Sequence, residues 1–109
     1  MDKLHVINTL SALSQESRLD IFRLLIEKGP EGCMMGVIGK TLKLPHATLS
    51  FHLDKLRQSG LIESKKAGRA TLYRANYDVL AATIHYLTEN CCQQSDTNCR
   101  IEMNPKTCC

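Results

Sequence analysis

Five of the six cysteines in this 109-residue chain, Cys91, Cys92, Cys99, Cys108 and Cys109, fall in its last nineteen positions, and only Cys33 lies in the body. A disulfide framework stapling a small secreted domain would spread its bridges through that body. Thiols crowded at one end point instead to soft-metal chemistry, because thiophilic ions select thiolate ligands. Enzymatic use of the same thiols lacks its partners. Oxyanion-binding enzymes of the arsenate-reductase and tyrosine-phosphatase kind need an Arg six residues after the nucleophilic Cys, but Gly39, Asn98 and Pro105 stand six after Cys33, Cys92 and Cys99. Thioredoxin-type exchange wants Cys-X-X-Cys, and no pair has that spacing. A non-enzymatic role is expected.

Charge carries a second chemistry. The net charge of +3 hides an asymmetry: Lys40 to Arg74 holds eight basic residues and two acids, and the remainder holds six basic residues and nine acids. A basic middle between acidic flanks fits a polyanion docking on one face. With 43% hydrophobic residues the chain can build one modest core. Its longest apolar run, Val79 to Ala82, is four residues, against the ~20 needed to cross a bilayer. The acid at Asp2 and the polar interruptions after it do not read as a secretory signal. A cytoplasmic protein without membrane contact is expected.

The elements that must position these groups follow from hydrophobic spacing. Leu4, Ile7, Leu10 and Leu13 suit one face of a first helix. Ser14 is placed to cap a second, with Glu16 in its positive first turn; Leu19, Phe22, Leu25 and Ile26 form its apolar face, and Gly29-Pro30 stops it. A third, short helix spans Gly36 to Leu42 with Ile38 and Leu42 inward. Pro45 opens a fourth, in which Leu49, Leu53 and Leu56 recur at i, i+4 and i+7, and Gly60 supplies the left-handed cap. The segment LIESKKAGRATLYRA predicts two strands around an Ala67-Gly68-Arg69 turn. Asn76 caps a last helix whose stripe is Leu80, Ile84, Leu87 and Cys91. The expected fold is mostly α with a β-hairpin, a winged helix-turn-helix in the order α-α-α-α-β-β-α. Residues 1–92 form the domain, and residues 93–109, which lack periodicity, form a flexible cysteine-rich tail.

On the fourth helix, at 100° per residue, the three leucines cluster within about 60°. Opposite them lie Ala47, Phe51, Asp54, Lys55 and Gln58, with Thr48 and Ser50 on the flanks. An outward aromatic needs cover, either from thymine methyls on a major-groove floor or from the hairpin; the hydroxyls can bond base edges or phosphates. Lys65, Lys66 and Arg69 on the hairpin can reach phosphates or a minor groove. The expected DNA-contacting set is therefore His46, Ala47, Thr48, Ser50, Phe51, Lys55, Lys65, Lys66 and Arg69. His52 falls nearer the buried side, for packing or phosphate anchoring.

The segments LSALSQESRLDIFRLL, LPHATLSFHLDKLRQSGLIESKKAGRATLYRA and LTENCC resemble the ArsR/SmtB family of metal- and metalloid-responsive bacterial repressors, from about residue 4 to residue 92. The Ser50-Phe51-His52-Leu53 core and Gly60-Leu61-Ile62 carry most of the specificity. The resemblance implies a homodimer held by the first and last helices, with Thr48, Ser50 and Phe51 reading double-stranded operator DNA. Two-fold symmetry then asks for an inverted repeat with half-sites about one helical turn apart.

Trivalent arsenic or antimony favours three sulfurs in a trigonal pyramid. Cys91 and Cys92 at a helix end, with Cys99 after six intervening residues, can supply them once the helix frays. One arsenite-responsive branch of the family carries such a pair and a third Cys. The alternative Cys-X-Cys at the third helix is missing here, since Cys33-Met34-Met35 leaves one thiol. The divalent-metal site on the last helix is missing too, as Asp78 is followed by Val79-Leu80 and only His85 remains. Cys108 and Cys109 are substitute ligands, a second site, or neither. The expected function is a repressor released by As(III) or Sb(III), without organic cofactor. Open alternatives are another soft metal, methylarsenite held by two thiolates, or a thiol-redox response. Cys33, Met34 and Met35 are expected as core filler, and His5 and His85 as surface or interface groups.

Overall fold

Caps and short-range hydrogen bonds set the element limits in the computed structural model, which describes residues 2–91, 93 and 94. The elements are α1 (Lys3–Leu13), α2 (Glu16–Lys28), β1 (Cys33–Met34), α3 (Met35–Leu42), α4 (His46–Gln58), β2 (Ile62–Ala67), β3 (Ala70–Ala75) and α5 (Tyr77–Thr88). The Asp2 carboxylate accepts the His5 N–H at 2.8 Å and opens α1. Ser14 closes that helix instead of capping the next: its hydroxyl donates to the Ser11 carbonyl at 2.8 Å. Gln15 takes the capping role through its side-chain oxygen, which accepts the Arg18 N–H at 2.9 Å. Asn76 caps α5 as its position predicts, accepting from Val79.

The winged helix-turn-helix expected from the sequence is present: α3 and α4 are joined by a tight turn through left-handed Lys43, and the β2–β3 hairpin follows. Leu49, Leu53 and Leu56 of α4 are buried against Ile21, Phe22, Leu24 and Leu25 of α2, with Ile38, Leu61 and Ile62 completing the core. Full burial of each such side chain contributes about 1.5–3 kcal/mol, enough for this cluster to hold α4 in one rotation. The α2 face differs from the expected stripe, since Leu19 is exposed and Ile21 and Leu24 are inside. A strict three-residue spacing drifts around a helix of 3.6 residues per turn, and the buried face follows the helix.

Further differences matter. Strand β1 adds a third, two-residue strand that pairs antiparallel with β3, Cys33 opposite Tyr73 and Met34 opposite Leu72. The hairpin turn is Gly68-Arg69, because Ala67 already pairs with Ala70. Helix α5 ends at Thr88, and Asn90 beyond it is left-handed with φ 60°. Cys91 is therefore off the helix, where a continuous stripe would have kept it on. On α1 the expected stripe does form, but Val6 and Thr9 are the buried residues, while Leu4, Ile7 and Leu10 are 67%, 53% and 41% exposed. No helix among the described residues is long and apolar enough to cross a membrane. The expected division at residue 92 borders positions outside the described residues, as does most of the segment 93–109.

Gly32, which leads into β1, has φ +83°, and a Cβ there would sit 2.8 Å from the Tyr73 carbonyl oxygen. Gly32→Ala is expected to cost about 1–3 kcal/mol, read as a lower denaturant midpoint. Gly36→Ala, in α3 with open space at its Cβ, is expected to be neutral or stabilising by up to about 1 kcal/mol.

Candidate nucleic-acid interface

Burial of the three leucines turns the opposite face of α4 to solvent. His46, Ala47, Thr48, Ser50, Phe51 and Lys55 are all exposed. No side chain caps the first turn of α4, so its N–H groups and positive dipole end face outward with them. A groove of about 600 Å³ runs between this face and the hairpin, walled by Ala47, Ser50, Phe51 and Arg57 from α4 and by Ser64, Lys66, Thr71 and Tyr73 from the strands. Phe51 stays 56% exposed on its rim, so the hairpin does not cover it. Its ring meets the His52 ring edge-on at 5.6 Å, and the Lys55 ammonium lies 5.4 Å from its centroid. The acid on this face, Asp54, is bound by Arg57 and Gln58 at 2.8 Å each. Such an exposed pair adds little stability, but it offsets a charge that would repel phosphate.

Strand alternation separates the two wing lysines. Lys66 pairs with Thr71 and lines the α4 groove. Lys65 pairs with Leu72 and points to the other face, beside Glu31, Glu63 and Arg74. There Glu63 already holds Arg74, at 2.7 Å. Arg69 sits at the turn, bordering a shallow surface with Met34, Val37 and Lys40. Arg57, Thr71 and Tyr73 belong to the groove and were not singled out by sequence; the two strand residues become visible once the turn fixes which positions share a face with Lys66.

His52 is buried, 7% exposed, on the inward side of α4 as its position predicts. Arg18 Nη1 lies 3.3 Å from His52 Nδ1. An Arg can only donate, so Nδ1 accepts and the ring is neutral. Burial, and then the Arg18 charge, push its pKa below the ordinary histidine value. Cys33 is buried opposite Tyr73, and burial pushes its thiol pKa up despite Lys28. Met35 packs on the core, whereas Met34 is 46% exposed and is not core filler. His85 is exposed, and half-buried His5 reaches the Ser59 carbonyl.

Cys91 follows α5 and is disulfide-bonded. Cys92, Cys99, Cys108 and Cys109 lie outside the described residues. Among the described residues, no three His, Cys, Asp or Glu side chains are grouped to hold a metal ion.

A buried hydrophobic α4, an exposed polar and aromatic opposite face, and a lysine-bearing wing across the groove define a winged helix-turn-helix DNA-binding domain. Residues 13–65 match the helix-turn-helix domain family. The transcriptional activator HlyU of Vibrio cholerae is 30% identical over 84 residues, covering 77% of this chain and 75% of HlyU. An ArsR-like transcriptional regulator from Rhodococcus sp. RHA1 superposes with a TM-score of 0.69 at 30% identity, over 77% of this chain and 76% of that one. A homodimeric winged helix-turn-helix domain from Mycobacterium bovis gives a TM-score of 0.64 at 25% identity, over 86% and 87%. The chain spans 22% of the matching MJ1398 regulator of Methanocaldococcus jannaschii and 57% of YceK of Bacillus subtilis. The chain belongs to the ArsR family of winged helix-turn-helix transcriptional regulators.

Lys66→Ala is expected to weaken binding to any duplex and to lower the log–log salt slope by about one; Lys65→Ala is expected to change both much less. Equal effects would place both side chains on the DNA side. For His52 the folded pKa is depressed, so the unfolded chain takes up the proton first as pH falls through about 6.5. Wild-type stability should therefore drop between pH 7.5 and 5.5 in denaturant titrations, and His52→Gln should drop less.

Proposed function

We propose that the protein is a homodimeric repressor that leaves its operator when Cys91, Cys92 and Cys99 bind trivalent arsenic or antimony. The observation that carries this reading is the set of exposed apolar residues on the first helix and on the last, which leads in sequence to the thiols. Leu4, Ile7 and Leu10 on α1 and Leu87 on α5 are each exposed, and α5 leads in sequence into the cysteine segment. Exposed apolar residues on a first and a last helix that touch one another are what a partner copy covers, and the related Mycobacterium bovis domain is homodimeric. A two-fold pair presents two α4 faces to an inverted repeat.

The cysteine backbone departs from helix before the first ligand. With Glu89 extended and Asn90 left-handed, Cys91 needs no helix unwinding to turn toward Cys92 and Cys99. Ligation then acts on a short link to the dimer surface, not by fraying α5. A coupling of about 1–3 kcal/mol per site releases DNA usefully.

The disulfide at Cys91 supports a second reading, a thiol-redox response. Two thiols lose two electrons and two protons to an oxidant to form that bond, and a disulfide cannot supply the thiolates arsenic needs. A reduced form of the related HlyU has a TM-score of 0.60 at 26% identity, over 81% of this chain and 90% of that one. Operator release by a thiol oxidant without arsenite is the outcome this reading expects.

With reductant present, Cys91→Ser, Cys92→Ser and Cys99→Ser are expected to bind operator like wild type yet stay bound in arsenite that frees wild type, measured by fluorescence anisotropy. Unaltered release in all three refutes the site. Ligation displaces protons from thiols of pKa ~8.5, so apparent arsenite affinity should rise with pH.

A further inference from the structure

We infer that His5 and Arg18 brace α1 to α4 at two points and thereby set the angle at which the paired protein presents its reading helices. The inference rests on the dimer reading above. His5 Nε2 donates to the Ser59 carbonyl at 3.3 Å, a bond from the first turn of α1 to the C-terminal end of α4. Arg18, from α2, spans the second point: its Nε donates to the Ala12 carbonyl of α1 at 2.7 Å, and its Nη1 meets His52 Nδ1 of α4 at 3.3 Å.

The attachment points are matched. His5 and Ala12 are seven residues apart on α1, as are His52 and Ser59 on α4, about 10.5 Å along each axis at 1.5 Å per residue. The pairing order reverses, so the two helices run antiparallel with the ties in register. Between the ties the helices are parted by a cleft of about 300 Å³ whose walls include Asn8, Ser11, Lys55 and Gln58. Buried Val6 and the core contacts of Ala12 and Leu13 hold α1 against the body, and across the cleft itself the directional hydrogen bonds add the constraint on angle. With one tie alone, only that packing resists rotation about it; two ties oppose it directly. The planar Arg fork serves two acceptors in fixed directions, which an ammonium on a flexible stem does not. Since α1 also carries the uncovered Leu4, Ile7 and Leu10, the brace links the pairing surface to the DNA-reading face. His5 and Arg18 are thus positioning residues.

The test uses the full-length protein and an operator selected from random duplexes, with its half-sites then moved one or two base pairs closer or apart. Affinities are compared for wild type, Arg18→Lys and His5→Ala, alongside an isolated half-site. Wild type is expected to lose about tenfold or more on altered spacing. Each variant is expected to lose markedly less, with half-site affinity unchanged, because a hinged head follows a displaced half-site. A variant weakened equally on every duplex, with the wild-type spacing profile kept, overturns the brace, as does a profile identical to wild type. A flat wild-type profile instead removes the paired reading, and the brace with it. Should Arg18→Lys fail to fold, His5→Ala carries the comparison, since its side chain is only half-buried.

Discussion

The seating of α4 is the constraint on which the rest depends. Leu49, Leu53 and Leu56 are driven into a core built with α2, α3 and the first hairpin strand, and a helix fixed by one face has no freedom about its axis. His46, Ala47, Thr48, Ser50, Phe51 and Lys55 are outward for that reason alone. The wing obeys a similar rule with a period of two. Ile62 is buried at the start of β2 and pins the register, so Lys66 turns to the groove and Lys65 away from it. Recognition geometry here is a consequence of core packing, with polar groups placed on what the core leaves outside.

Much of this was legible in the residue pattern because α4 combines a helix-period leucine row with clear stops at both ends, and the wing combines β-formers with a Gly turn. The misread elements share a different property: each is decided by tertiary context. Strand β1 is two residues long and exists only because β3 offers an edge, too short for any alternation to register. Ser14 has the chemistry of a cap, yet the chain direction between α1 and α2 leaves its hydroxyl on the wrong side and Gln15 takes the role. Leu4, Ile7 and Leu10 announced a helix face correctly, but periodicity does not say whether a face meets its own core or another molecule. Nor did anything local show that α5 stops at Thr88, three residues before the first thiol.

The thiol site is legible as chemistry and not as geometry. Its residue types and spacing are the ground for the proposed soft-ligand binding, and Cys91 stands where the final helix has already ended. A sensor gains from that arrangement. A ligand such as Cys91, already off the helix, would reorganise at small cost, and a paired interface would amplify the change, since packed interfaces switch between discrete arrangements more readily than they deform. Cys33 serves as the contrast: buried, its pKa raised, and hydrogen-bonded to the Met34 carbonyl, it is a packing residue that happens to carry sulfur.

Linkage gives the most direct test of the central claim, that metalloid ligation and DNA binding oppose one another through a shared conformational equilibrium. If arsenite lowers operator affinity by some factor, operator must lower arsenite affinity by the same factor. The measurement is the arsenite dissociation constant of the reduced protein, free and saturated with operator, followed through thiolate–arsenic absorbance. The account predicts weaker arsenite binding to the DNA-bound protein, by the ratio found for DNA. Equal arsenite affinity in the two states would contradict it.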